Sequence, residues 1–167
     1  MNKRWTSTVV MIAALAVPAM LAAQAKPPAK PAAPAATPRT VSITVGDPVG
    51  EKMDYSLKTF TVKPGERIRL RLISTAQTPK IVMAHNWVLL KLKTNVKAFV
   101  DASANARETD FIPAGMKSSI LAMVGMVGPG ERLETTFTAP TVPGTYDYVC
   151  TFAGHYAAGM VGTMVVK

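Results

Sequence analysis

The chain has 167 residues, with 19 Lys or Arg against 10 Asp or Glu, and a formal net charge of +9. One cysteine and two histidines are present, so an intramolecular disulfide is excluded and the supply of nitrogen and sulfur metal ligands is small. Nucleic-acid binding is not expected, because the N-terminus predicts export and no basic-aromatic platform is present.

The first 25 residues are predicted to be a signal peptide. Lys3 and Arg4 precede an apolar stretch, and Ala23-Gln24-Ala25 is a small-x-small cleavage site. The apolar stretch, residues 9–23, is shorter than the roughly 18 to 20 residues that a spanning helix needs. We therefore expect a periplasmic protein, with retention as an N-terminal membrane anchor as the less favoured alternative.

Residues 26–39 are predicted to be a linker rich in Pro, Ala and Lys. The segment contains five prolines and no large apolar side chain, a composition typical of an extended polyproline-type spacer. It is either a disordered leader without a role of its own or a tether that holds the domain away from a membrane or a partner.

Residues 40–167 are predicted to form one all-β domain. In the clearest segment, Ile68, Leu70 and Leu72 alternate with arginines, a period of two that places the aliphatic side chains inward. Other predicted strands are 42–45, 57–62, 81–92, 133–138, 145–152 and 161–166, and Pro-Gly pairs at 64–65, 129–130 and 143–144 predict turns. Short strands separated by such turns indicate a β-sandwich or a barrel.

Residues 94–127 interrupt this pattern and are interpreted as an insertion that covers one side or the rim of the sandwich. Apolar residues at helical spacing (Val96, Phe99 and Val100) predict a short helix that begins at Thr94 or Asn95. The methionines of the insertion (Met116, Met123 and Met126) would form a metal-binding thioether cluster or serve as apolar filler. Their irregular spacing favours filler.

The residues that predict a function are Cys150, His155 and Met160, in one short run near the C-terminus, together with His85 far upstream. A thiolate and two imidazoles with a weak axial thioether are the ligands of blue-copper electron-transfer centres. Zinc also binds Cys and His, but a thioether is a poor fourth ligand for it. The sequence therefore predicts one copper ion at these four residues.

Two features of the surrounding sequence are expected to support the site. Asn86 follows His85 directly and is a candidate to hydrogen-bond to the region of Thr151, which would join the two ligand segments. Small and apolar residues (Met83, Phe152, Ala157 and Ala158) are expected to exclude water and to surround the edge of His155. Electrons would enter and leave at that edge.

These motifs resemble those of the small blue copper proteins, the cupredoxins, and are most similar to the azurin and auracyanin branch. The resemblance rests on Met83-Ala84-His85-Asn86-Trp87, Cys150-Thr151-Phe152-Ala153-Gly154-His155, and Met160 with Gly162-Thr163. It implies a Greek-key β-sandwich with one mononuclear copper that shuttles single electrons. The implied partners are c-type cytochromes or another periplasmic or membrane-bound electron-transfer complex.

Two departures from azurins concern the axial ligands, and a third replaces the proline expected in the ligand loop by Ala153. Azurins have three residues between the loop histidine and the methionine, whereas this chain has four, residues 156–159, which is similar to auracyanins. Azurins also have a glycine where this chain has Ala84, whose carbonyl is implied to be a weak axial ligand. The axial distances are therefore expected to differ from those of azurin.

Two other functional classes remain open at this point. A copper-delivery or copper-storage protein would use the same ligands but would exchange its metal readily with chelators. An enzyme is less favoured, because copper catalysis on a bound substrate needs an open coordination position or further copper centres. Two histidines are too few to supply these.

Overall fold

The computed structural model describes residues 37–46 and 53–167. The predicted signal peptide and most of the predicted linker lie outside these residues. Strand β1 begins at Arg39, the last residue that we assigned to the linker. Within the described ranges, no helix combines the length and the apolar composition that crossing a bilayer requires.

In the described part of the chain, eight strands form two sheets that pack face to face. The elements in chain order are β1 (Arg39–Val45), β2 (Thr59–Val62), β3 (Arg67–Ser74), β4 (His85–Leu90), α1 (Val96–Ala104), β5 (Ile120–Val127), β6 (Arg132–Thr138), β7 (Gly144–Val149) and β8 (Val161–Val166). The smaller sheet has the order β1-β3-β6 and the larger one β2-β8-β7-β4-β5. The predicted all-β sandwich is therefore confirmed. The predicted turns at 64–65 and 129–130 lie between successive strands, whereas Pro143 precedes β7 and Gly144 is its first residue.

The core lies between the two sheets and follows from the alternation in the sequence. In β3 the aliphatic residues Ile68, Leu70 and Leu72 are fully buried, whereas the arginines between them face water. From the other sheet, Trp87 and Tyr148 fill the centre, with ring centroids 5.6 Å apart. Trp87 also contacts Phe137 of β6 in the smaller sheet, with ring centroids 5.8 Å apart, and this contact joins the two sheets.

The predicted helix is confirmed as α1, and Asn95 is its N-cap, since its side chain accepts a hydrogen bond from the Ala98 amide (3.0 Å). Phe99 and Val100 pack with Val88 of β4 in a second apolar cluster. This cluster lies on the face of the larger sheet that points away from the smaller one. Met116 and Met123 pack against the same cluster as apolar filler.

The prediction that residues 94–127 form a single insertion is wrong for the C-terminal part of that range. Residues 120–127 form β5, an edge strand that pairs antiparallel with β4. The sequence Ile-Leu-Ala-Met-Val-Gly-Met-Val has no polar alternation because the strand contacts apolar residues on both faces. The insertion proper therefore consists of α1 and two short 3-10 turns, Arg107–Thr109 and Ala114–Ser119. The strand predicted over 81–92 is also shorter than expected, since residues 80–83 form a turn before β4.

Candidate metal centre

The structure brings the four predicted metal ligands together at one end of the sandwich. His85 is the first residue of β4, Cys150 directly follows β7, and Met160 directly precedes β8. His155 lies in the loop between the last two, which we call the ligand loop (residues 150–160). Cys150, His85 and Met160 are fully buried, whereas His155 retains 4% exposure. His155 is therefore the one of the four through which the site reaches the surface.

The distances between the donor atoms fit a single ion. The donor atoms of His85, Cys150 and His155 all lie within 4.8 Å of one another. The Cys150 Sγ is 3.4 Å from Nδ1 of His155, and the Met160 Sδ is 3.2 Å from Nδ1 of His85. Metal bonds of about 2.0 to 2.3 Å in a trigonal plane place the donors about 3.6 Å apart. The donor set, one thiol, two imidazoles and one thioether, is the one that copper prefers.

Burial controls the protonation of these groups. Desolvation raises the pKa of the Cys150 thiol to about 12, although the amide N–H groups of Asn86 and Phe152 oppose the shift by hydrogen bonding to the sulfur. Burial also lowers the pKa of His155 to about 4, and the neighbouring His85 contributes to that shift. Both effects disfavour charge in the absence of a compensating cation. A metal cation among the donors would favour the thiolate and neutral imidazole forms.

The ligand loop is closed by its own backbone hydrogen bonds. The Cys150 amide donates to the Met160 carbonyl (3.1 Å), and the Met160 amide donates to the His155 carbonyl (2.9 Å). Gly154 and Gly159 have φ angles of 85° and 106°, which residues with a Cβ rarely adopt. The ligand loop therefore turns tightly at these two glycines, and three of the four donors lie on this one short segment.

Asn86 joins the two ligand segments as expected. Its side-chain Nδ2 donates to the Thr151 hydroxyl (2.7 Å), and its Oδ1 accepts a hydrogen bond from the Thr151 amide (2.8 Å). The hydroxyl of the buried Tyr55 donates to the Asn86 carbonyl (2.6 Å). Because all these groups are buried, the hydrogen bonds are shielded from competition with water. The backbone that carries His85 is thereby fixed relative to Cys150.

A family model for copper-binding proteins of the plastocyanin/azurin family matches residues 41–167. The chain belongs to this family. It is 45% identical over 83 residues to Auracyanin-B of Chloroflexus aurantiacus, a match that covers 49% of this chain and 35% of that protein. It is also 33% identical over 117 residues to the azurin of Pseudomonas chlororaphis, covering 69% and 84% of the two chains.

A similar solved structure is the crystal structure of dithionite-reduced auracyanin from Roseiflexus castenholzii. It has a TM-score of 0.65 and 38% sequence identity, and the match covers 77% of this chain and 96% of that one. The family match, residues 41–167, includes all four predicted ligands. Copper is thus the metal of the plastocyanin/azurin family to which this chain belongs, and its Cys-His-His cluster is consistent with a type 1 copper site.

The surroundings of His155 in this family member include an aromatic residue that sequence reasoning missed. Phe152 lies against His155 with ring centroids 4.6 Å apart, and Phe111 lies against Phe152 at 4.9 Å. Phe111 belongs to the insertion and has a φ of 59°, unusual for a bulky residue. No pattern in the sequence pointed to it, because its position depends on a left-handed turn that contains no glycine.

The other residues that were expected to surround the edge of His155 differ in their exposure to solvent. Ala157 and Ala158 are exposed beside His155, whereas Met83 is half-buried. Ala84 is buried, with 3% exposure, directly before His85, and the role of its carbonyl as a weak axial ligand stays a prediction. Ala84 also lines an apolar cleft of about 390 Å³ next to the site, together with Lys80, Ile81, Arg107, Asp110, Phe111, Met126 and Phe152.

The end of the ligand loop has a further contact that the sequence did not predict. The Lys58 ammonium donates to the carbonyls of Gly159 (2.6 Å) and Val161 (3.1 Å), which flank Met160. Lys58 also forms an ion pair with Asp54. A cation from the segment before β2 therefore holds the backbone on both sides of the predicted axial ligand.

Proposed function

We propose that this protein is an exported mononuclear blue copper protein that transfers single electrons between redox partners. Copper would be held by His85, Cys150, His155 and Met160, and would supply the one-electron Cu(I)/Cu(II) couple. The observation that supports this best is the convergence of one thiol, two imidazoles and one thioether in a buried site with a single near-surface edge at His155.

Rigid placement of the donors is the contribution of the protein. A carrier exchanges electrons rapidly when its ligands change position little between the two oxidation states. The Asn86–Thr151 hydrogen bonds and the closed base of the ligand loop restrict such movement. Apolar Phe152 next to His155 keeps water away from the route by which electrons would pass. No substrate-binding position next to the metal is needed for this function.

The partners that we propose are c-type cytochromes or another periplasmic or membrane-bound electron-transfer complex. Association would occur at the small surface around the His155 edge, where Ala157 and Ala158 are exposed. We further propose that residues 1–25 direct export and that residues 26–38 form a spacer before the domain. N-terminal sequencing of protein recovered from the periplasmic fraction would test the export step.

A copper-delivery or copper-storage protein is the second candidate. It is less well supported because three of the four donors have no solvent exposure, which hinders transfer of the ion to an acceptor. The two functions differ in measurable ways. A carrier should reduce or oxidise a cytochrome rapidly in stopped-flow mixing and lose copper slowly to a chelator, whereas a delivery protein should do the reverse.

The proposed ligands are tested by visible and electron paramagnetic resonance spectroscopy of the copper-loaded protein and its Cys150→Ser variant. We expect an intense thiolate-to-copper charge-transfer band that ascorbate bleaches reversibly and that the variant lacks. Ala157→Ser, at an exposed position in the same loop, is the matched control and should keep the band. A copper-loaded wild-type protein without this band would contradict the proposal.

A further inference from the structure

The outer side of the smaller sheet carries a cluster of arginines that the copper site does not use. Arg67, Arg69 and Arg71 occupy alternate positions of β3, and the aliphatic residues between them are fully buried. Arg132 is the first residue of β6 and is exposed. It pairs with Ile73, two residues after Arg71, and therefore lies on the same side of the sheet. We call these four residues the arginine face.

The positive charge of the arginine face is only partly compensated. Glu134 is paired in register with Arg71, and lies 3.3 Å from Arg71 and 3.7 Å from Arg69. Within the described ranges, Arg67 and Arg132 have no ion-pair partner. Successive arginines along β3 are about 6.6 Å apart, as strand geometry requires, and like charges at this spacing repel one another. Such an arrangement favours an external anionic partner.

The cross-strand neighbours of the arginines of β3 are mostly polar. The register places the hydroxyls of Thr40 and Ser42 of β1 beside Arg69 and Arg71, and those of Thr136 and Thr138 of β6 beside Arg69 and Arg67. Protein interfaces usually depend on a central apolar or aromatic anchor. The arginine face offers guanidinium forks and hydroxyls, which suit phosphate oxygens better.

We propose that the arginine face binds the anionic phosphate surface of a phospholipid bilayer. The face forms a broad side of the sandwich, whereas the metal centre lies at the ends of the strands. Binding in this orientation leaves the His155 edge uncovered and directs it along the membrane plane, toward membrane-bound partners. The proposal depends on the expected export but not on copper, so it can fail while the electron-transfer function holds.

The test is vesicle cosedimentation of the exported, copper-loaded protein. The vesicles are phosphatidylcholine alone or phosphatidylcholine with about one third phosphatidylglycerol, at low and at high salt. Each basic residue near an anionic surface contributes about a fivefold increase in partitioning. The variant R67Q/R69Q/R71Q should therefore bind phosphatidylglycerol vesicles about 25- to 100-fold more weakly than the wild-type protein, at low salt.

A matched control removes the same charge elsewhere. K91Q/K93Q/K117Q changes three exposed lysines around the insertion, on the other side of the molecule, and should reduce binding less than about fivefold. Any contribution of the N-terminal segment is common to both variants. The visible spectrum and melting temperature establish that each variant is folded. If the triple arginine variant does not fold, Arg67→Gln and Arg132→Gln singly should each weaken binding about fivefold.

Three results would overturn the proposal. Equal losses in the two triple variants would show that only net charge matters. Unchanged vesicle binding in the arginine variants would show that this face does not contact lipid. In the third result, R67Q/R69Q/R71Q still binds vesicles, but its electron exchange with an acidic cytochrome no longer depends on salt. The arginine face would then be a protein docking site instead.

Discussion

Replacing Asn86 by alanine tests whether one side chain joins the two ligand segments. Asn86 is 1% exposed and exchanges two hydrogen bonds with Thr151, at 2.7 and 2.8 Å. Alanine would remove both bonds but would keep the backbone groups of residue 86. The Thr151 amide and hydroxyl, which are also buried, would then lose their partners.

The expected cost follows from these contacts. A net contribution of about 1 kcal/mol per hydrogen bond, plus about 1 kcal/mol or more for burying the unpaired Thr151 groups, gives roughly 3 kcal/mol. For a domain of this size each kcal/mol lowers the melting temperature by about 3 to 5 °C. Asn86→Ala should therefore lower the melting temperature of the metal-free protein by roughly 10 °C.

The assay is thermal and urea unfolding of the metal-free protein, since bound copper would add its own stabilisation. Asn86→Ala, Thr151→Ala and the double variant form a cycle whose coupling free energy should be about 1 kcal/mol. Asn95→Ala, which removes the cap of α1, is the control: it should cost about 1 kcal/mol and add independently to Asn86→Ala. A fall of less than about 3 °C in Asn86→Ala, or no coupling to Thr151, would refute the reasoning.

Three further predictions concern the stability of the same domain. Lys58→Gln should speed amide hydrogen exchange in the ligand loop of the metal-free protein, at a global cost of about 1 kcal/mol or less, and unchanged exchange would show that the loop needs no such clamp. Gly162→Ala should lower the free energy of unfolding, measured with urea, by about 1 to 3 kcal/mol, because the added methyl group would overlap the ring of Tyr148. An unchanged free energy of unfolding would mean that the ring can move aside. Partial burial raises the pKa of Asp147, so ionisation of this carboxyl opposes folding above that pKa. Asp147→Asn should therefore raise the free energy of unfolding at about pH 7 but not at about pH 3. An equal gain at both pH values would show that ionisation is not the cause.

Much of the site was predictable because its residues are rare and its motifs are local. With one cysteine and two histidines in the chain, a site with these ligands could be assembled in few ways. The partnership of Asn86 with Thr151 followed from the position of each next to a ligand. The alternation in β3 and the helical spacing in α1 were equally clear, because each element buries only one face.

The features that were missed depend on tertiary contacts. Strand β5 is apolar on both faces, so its sequence has neither the alternation of an exposed strand nor a helical stripe. Phe111 reaches Phe152 only because Asp110 and Phe111 both have positive φ angles, and side chains other than glycine give no local signal for that conformation. The Lys58 contacts join residues about 100 positions apart, and no local pattern in the sequence indicates them.

The hydrogen bond from Cys150 to Met160 has an evolutionary consequence. Because this bond shuts the base of the ligand loop, insertions or deletions between His155 and Met160 alter the hairpin tip without disturbing β7 or β8. Changes in loop length can therefore alter the surroundings of His155 while Met160 and the strands at the base of the loop stay in place.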